Sequence, residues 1–166
     1  TLESYVAEGV DCVRAMPNTP ALIGLGMTGI SGGARCSGGG VRRAADILSC
    51  VGSVALIAES DQDALTAVSG SGPAYAFYLA EAMLEGAAAL GLDPALARRL
   101  VNQTLLGAAS MLGATDDDPA ELRRRVTSPN GTTAAAIAIF DECGIRESIV
   151  RGVAASAARS RELSAG

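Results

Sequence analysis

From Asp61 onward the chain is written almost entirely in helix formers, and its first long run lacks a polar side. Across Asp63 to Leu90, Tyr75, Leu79, Ala82, Met83, Gly86, Ala87 and Leu90 recur at helical spacing, while Phe77, Ala80 and Leu84 fall opposite them. A helix apolar all round must be buried on all sides. Gly70, Gly72 and Pro73 interrupt the run, which predicts a break or kink near Ser71. Pro94 after Asp93 reads as a capped start, and the stripe Leu96, Leu100, Val101, Leu105, Ala108 and Leu112 carries a second helix to about Gly113. Thr133 to Phe140 reads as a further buried helix that Gly144 stops. Ile145 to Leu163 forms the last, with Ile149, Val150, Val153, Ala154 and Ala157 inward and Arg146, Arg151, Arg159 and Arg161 outward. Aromatic residues make up only 3% of the chain, so packing rests on Ala, Leu and Val. Such helices call for a partner subunit to cover them.

The first 60 residues are patterned differently. Residues 4–8 read as the end of a helix, and Asp11 to Met16 as a short strand that stops at the turn Pro17-Asn18-Thr19-Pro20. Leu22 to Ile30 is punctuated by glycine and reads as extended, Ser31 to Gly40 as a loop, Val41 to Val51 as a helix and Ser53 to Ala58 as a strand. Strand, helix, strand in that order suits the tail of an α/β sheet, with too few elements to close a sheet domain alone. The boundary falls near residues 59–62, giving domains over 1–60 and 61–166.

Composition removes whole reaction classes. The 166 residues contain no His, and all 13 basic residues are Arg. Within this chain there is therefore no Ser-His-Asp triad, no Cys-His pair, no His-based metal site and no Lys for a Schiff base. Cys12, Cys36, Cys50 and Cys143 lie far apart, signal neither zinc nor redox chemistry, and read as reduced, buried thiols of a cytoplasmic protein. A net charge of −5 and a pI near 4.7 argue against nucleic acid; the one basic run, Arg123 to Arg125, follows Asp116 to Asp118 and Glu121 and reads as a solvated helix face. The start, TLESYVAEGVDCV, lacks the pattern of a signal peptide, and glycines and Pro94 interrupt the longest apolar stretch before it reaches membrane-spanning length.

One stretch carries candidate chemistry. In Pro119 to Asp141, PAELRRRVTSPNGTTAAAIAIFD, a short charged helix runs into Ser128-Pro129-Asn130-Gly131-Thr132-Thr133 and then into an apolar helix. Pro129 disfavours a helical Ser128, Asn130-Gly131 tolerates positive φ, and Thr132 or Thr133 can open the next helix. Orphan N–H groups and the positive end of the helix dipole favour an anion there, and three hydroxyls can orient a carboxylate without a charged side chain. On local pattern alone, hydroxyls that merely cap their own helix are the commoner outcome.

The spacing of Pro119, Leu122, Val126, Thr127, Ser128, Asn130, Gly131, Thr133, Ala136, Ile137, Phe140 and Asp141 resembles the signature of the pyrroline-5-carboxylate reductases. Three further runs resemble the same family in the same order: MPNTP with Gly24, Gly26 and Met27, TAVSGSGPAY at Thr66 to Tyr75, and QTLLGAA at Gln103 to Ala109. Together they cover nearly the whole chain. The resemblance implies an α/β remnant of a Rossmann-type dinucleotide-binding domain followed by an all-α dimerisation domain, mostly α overall. It also implies an interlocked homodimer, with a decamer as the larger assembly, and reduction of a cyclic imine acid to proline with NADPH or NADH. By matching positions, Ser128, Gly131, Thr132 and Thr133 hold the substrate carboxylate, Thr66 hydrogen-bonds the ring nitrogen as relay or orienter, Glu59 lies near the cationic side, and Asn18 is a cofactor contact. No metal is implied. Where the family most often has Gly, this chain has Asn130, the next best residue for a left-handed turn.

No strand runs through G-x-G-x-x-G into a helix: Gly38 to Gly40 opens a candidate helix but follows a loop. The expectation is a piece lacking the first ~100 residues, the size of one small domain, and binding NADPH weakly or not at all by itself. The competing reading is a non-catalytic helical module for oligomerisation or small-carboxylate binding. A β-hydroxyacid dehydrogenase is disfavoured because that resemblance depends on a Lys in the helical part.

Overall fold

The computed structural model describes residues 2–165, and its packing divides the chain into two compact units, Thr1–Tyr75 with Arg151–Gly166 and Ala76–Val150. The first unit holds a three-stranded sheet of order β1 (Val13–Met16), β2 (Gly26–Gly32), β3 (Gly52–Leu56). Strand β1 is antiparallel to β2, with Val13 opposite Gly32 and Met16 opposite Gly29. Strand β3 is parallel to β2, with Gly26 opposite Gly52 and Ile30 opposite Leu56, and the crossover between them is helix α1 (Gly38–Leu48). A parallel pair needs such a crossover, so the strand-helix-strand reading holds.

The central strand supplies the core, with Thr28, Ile30 and Ser31 almost fully buried. Its limits differ from the sequence expectation. The segment before it is a 3₁₀ turn, Thr19–Ile23, because Pro20 sets a helical φ in the first turn and Gly24 closes it at φ 75°. Strand β2 then continues through Ile30 to Gly32, into residues that read as loop. Helix α1 starts three residues early, since Ser37 Oγ accepts from the Gly40 N–H. The Asp11 carboxylate in turn accepts from both Ser37 N (2.6 Å) and Ser37 Oγ (2.8 Å). In place of a helix over residues 4–8 there is a 3₁₀ turn, Leu2–Tyr5.

After β3 the chain passes through a 3₁₀ turn (Glu59–Asp61), helix α2 (Gln62–Leu65), a π-turn (Thr66–Gly70) and helix α3 (Gly72–Ala89). The break expected near Ser71 is therefore a π-turn, capped by Ser71.

The second unit contains the rest of α3, then α4 (Pro94–Ala114), α5 (Pro119–Arg125), α6 (Thr132–Glu142) and the start of α7 (Ile145–Ala165). Local signals place the ends. Asp93 caps α4 through the Leu96 N–H (2.9 Å), Asp118 caps α5 through Ala120 N (2.7 Å), and Gly144 separates α6 from α7 at φ 65°. The Arg run pairs along its own helix surface, Arg124 with Glu121 and Arg125 with both Glu121 and Asp117.

Burial corrects the sequence reading. Neither α3 nor α6 has a buried residue among those described, and within the second unit only Ala97 and Val101 are buried apolar side chains. Phe77 is 62% exposed, Ile139 55%, and Ile149 and Val150, expected inward, 57% and 63%. Helices α3 and α6, apolar on opposite faces, find too little surface within one copy to cover them.

Asn130 is the one non-glycine residue with positive φ among the described residues, at 58°. Asn130→Gly is expected to leave the chemical-denaturation midpoint near wild type, and Asn130→Val to cost about 1–2 kcal/mol, because a β-branched residue resists that backbone. Equal midpoints for the two variants would contradict the strained-turn account.

Candidate functional site

In the first unit the sequence-predicted residues Glu59 and Thr66 belong to one hydrogen-bonded array through Ser31 and Gln62, and Asn18 to a separate one with Ser69 and Met27. Glu59 follows the end of β3, and its carboxylate is held from two sides: Arg14 Nη1 donates to Oε1 (2.7 Å) and Ser31 Oγ donates to Oε2 (2.5 Å). These donors, Ser31 foremost and Arg14 next, keep the Glu59 carboxyl below its usual range. Gln62 Nε2 donates to Ser31 Oγ (2.8 Å), so the serine hydroxyl is fixed as donor toward Glu59. Gln62 is 1% exposed and its Oε1 has no partner among the described residues.

Thr66 lies one turn further on, half-buried, and its hydroxyl donates to the Gln62 carbonyl four residues back (2.7 Å). With the proton so committed, the oxygen presents lone pairs outward. Asn18 Nδ2 donates to Ser69 O (3.2 Å) and Ser69 Oγ (3.3 Å), and Asn18 Oδ1 accepts from Met27 N (2.8 Å). Arg14, Ser31 and Gln62 were not singled out from sequence. Their partners are 45, 28 and 31 positions away, and a polar residue in a short strand carries no periodic signal of such pairing.

In the second unit Ser128, Gly131, Thr132 and Thr133 form the start of α6. The N-cap is Gly131, extended at φ −81° and ψ 172°, and no side chain caps the helix. Ser128 and Thr132 are exposed and Thr133 half-buried, and none of their three hydroxyls hydrogen-bonds another described residue. The neighbouring Thr127 hydroxyl, by contrast, is spent on Arg123 O (2.7 Å). Hydroxyls that merely cap their own helix, the commoner case, are thus not what this turn contains. Gly131 leaves room beside Ser128: a Cβ there would lie 2.5 Å from Ser128 Oγ, which would have to rotate away, and 3.1 Å from Ser128 O.

The one glycine-rich passage from a strand into a helix here, β2 through Gly38 to Gly40 into α1, does not fit a dinucleotide pyrophosphate. Asp11 occupies its helix start, held by Ser37 and by Arg43 (2.8 Å), and the Asp11 side chain fills the space a Gly40 Cβ would need. A carboxylate bound at that N-cap satisfies the positive helix end and repels phosphate.

A short α/β sheet continuing into helices that lack their own cover has the make-up of a Rossmann-type remnant followed by a dimerisation-type helical domain. Residues 59–163 match the family model described as pyrroline-5-carboxylate reductase dimerisation, and the chain belongs to that family. The pyrroline-5-carboxylate reductase of Pseudomonas aeruginosa is 46% identical over 164 residues, covering 98% of this chain and 60% of that protein. That of Corynebacterium melassecola is 45% identical over 162 residues with the same coverage. Among solved structures, the Coxiella burnetii pyrroline-5-carboxylate reductase superposes with a TM-score of 0.91 at 37% identity, over 98% of this chain and 60% of that one. The Plasmodium falciparum pyrroline carboxylate reductase, solved with NADP bound, superposes at 0.89 and 29% identity, over 97% and 65%. The chain thus spans about 60% of the length of the curated relatives it matches. Among the described residues, no helix is long and apolar enough to cross a membrane.

The Glu59 array yields a titration test. A carboxyl whose folded pKa is depressed stabilises the fold above its unfolded value and loses that contribution as pH falls through the folded value. Ser31→Ala removes the first cause of the depression, so the Glu59 Cδ resonance should titrate at higher pH than in wild type. An unchanged midpoint would show that Ser31 does not act on this carboxyl.

Proposed function

We propose that this chain supplies the helical dimerisation domain, residues 61–166, and the adjoining end of the nucleotide-binding sheet, residues 1–60, to a cytoplasmic pyrroline-5-carboxylate reductase of proline biosynthesis. The reaction is reduction of L-1-pyrroline-5-carboxylate to L-proline, an oxidoreduction at a C=N bond. NADPH or NADH supplies the hydride, and the dinucleotide is held mainly by residues outside this chain, in keeping with the Asp11-filled helix start. The uncovered apolar helices support a homodimer, with a decamer as its further assembly.

The observation that carries this reading is the start of α6, where uncapped N–H groups stand beside hydroxyls with no internal partner. A small carboxylate satisfies both. Ser128, Thr132 and Thr133 donate to it and Gly131 keeps the backbone close, so the anion is bound by neutral dipoles and the dipole of α6. In the first unit, Thr66 and Glu59 act on an imine nitrogen. Protonation of the imine makes its carbon the better electrophile, and hydride addition moves the C=N electron pair to nitrogen. The ionised Glu59 carboxylate favours that protonated form. Thr66, its own proton given to Gln62 O, accepts from the iminium N–H and orients the ring; it is an orienter and not a general acid. Asn18 belongs to the stretch nearest the nicotinamide.

Steady-state assays of the reductase carrying this chain, with pyrroline-5-carboxylate and NADPH, test these roles. Loss of one hydrogen bond to a charged group should raise the KM for the imine acid about tenfold in Ser128→Ala. Thr66→Ala should instead lower kcat, by about ten- to a hundredfold. Turnover equal to wild type in both variants removes the assignment.

A further inference from the structure

The π-turn that begins at Thr66 leaves carbonyls without their usual helical donors, and each finds a substitute. Ser71 N donates to Thr66 O (2.8 Å), five residues back instead of four. Ala67 O thereby loses its donor and takes the Tyr75 hydroxyl (3.0 Å). Ser69 O has no helical donor either, because the residue four ahead is Pro73, which has no N–H. Asn18 Nδ2 supplies that bond from the turn after β1, and Met27 N donates to the Oδ1 of the same amide. The approach is close: a Cβ at Gly70 would lie 2.8 Å from Met16 Cε, two residues before Asn18. π-turns are uncommon and concentrate at functional positions, where surrounding contacts must hold them.

We propose that Asn18 is a positioning residue: its amide replaces the donor that Pro73 lacks, fixes the π-turn, and so sets where the Thr66 hydroxyl lies. The proposal rests on the reading of Thr66 as the imine-orienting group. It assigns Asn18 a role through Thr66, distinct from a direct contact with the nicotinamide.

Two measurements test it. In this 166-residue chain, amide hydrogen exchange at Ser71 should be about tenfold faster or more in Asn18→Ala, and also in Asn18→Asp, which keeps the acceptor for Met27 N but loses the donor to Ser69. In the reductase carrying the chain, Asn18→Ala should lower kcat about tenfold with the KM for NADPH unchanged, and should cost less than about twofold when added to Thr66→Ala. Unchanged Ser71 exchange overturns the proposal, as does a loss that persists in full in the Thr66→Ala background or appears as a raised KM for NADPH. Faster Ser71 exchange together with wild-type turnover in Thr66→Ala overturns the functional reading of Thr66 and with it the positioning role, and so separates the two failures.

Discussion

Helices that are apolar on opposite faces need more covering surface than one copy of them contains, and this shortage shapes the second unit. α3 and α6 bury no residue within the described chain, although their sequences are those of interior helices. The hydrophobic term that normally holds helices in place is therefore only partly collected by the single chain. Short-range devices set the helix ends instead: Asp93 and Asp118 caps, Gly144 as a stop, and ion pairs along α5. A family defined by dimerisation of this region fits that economy.

The polar groups follow a common logic in both units. Neither the array around Glu59 nor the turn at Ser128 uses a free cation, and the chain has no Lys or His to offer. Arg14 is tied to Glu59 and Arg43 to Asp11, so guanidinium charge serves to fix carboxylates. The start of α6 offers backbone amides and hydroxyls instead. Such groups are weak singly but directional, and their strength depends on being held in place before a ligand arrives.

Much of this was legible along the chain. The left-handed turn at Asn130, a helix opening at Thr132 or Thr133, the break near Ser71, the cap at Asp93 and the helix start at Pro94 all follow from residues within a few positions of one another. So does the family, because its motifs are local runs. The strand limits were less legible: Gly24 ended a 3₁₀ turn that reads as extended, and β2 runs on into glycines that read as loop. Burial of α3, α6, Ile149 and Val150 was overestimated, since periodicity reports which face is apolar and not whether the same copy covers it.

By itself, the sequence determined where the long helices of the second half lie, the exclusion of His- and Lys-dependent chemistry within this chain, and the position of the hydroxyl turn. These are matters of propensity and composition, which act over neighbouring residues. Only the tertiary structure decided that Ser31 and Gln62 hold Glu59, that Asp11 closes the glycine-rich helix start, and that Asn18 stands in for the donor missing at Pro73. The reason is physical: a hydrogen bond between residues dozens of positions apart leaves no periodicity in the chain, and it exists only once folding has closed the loop between them.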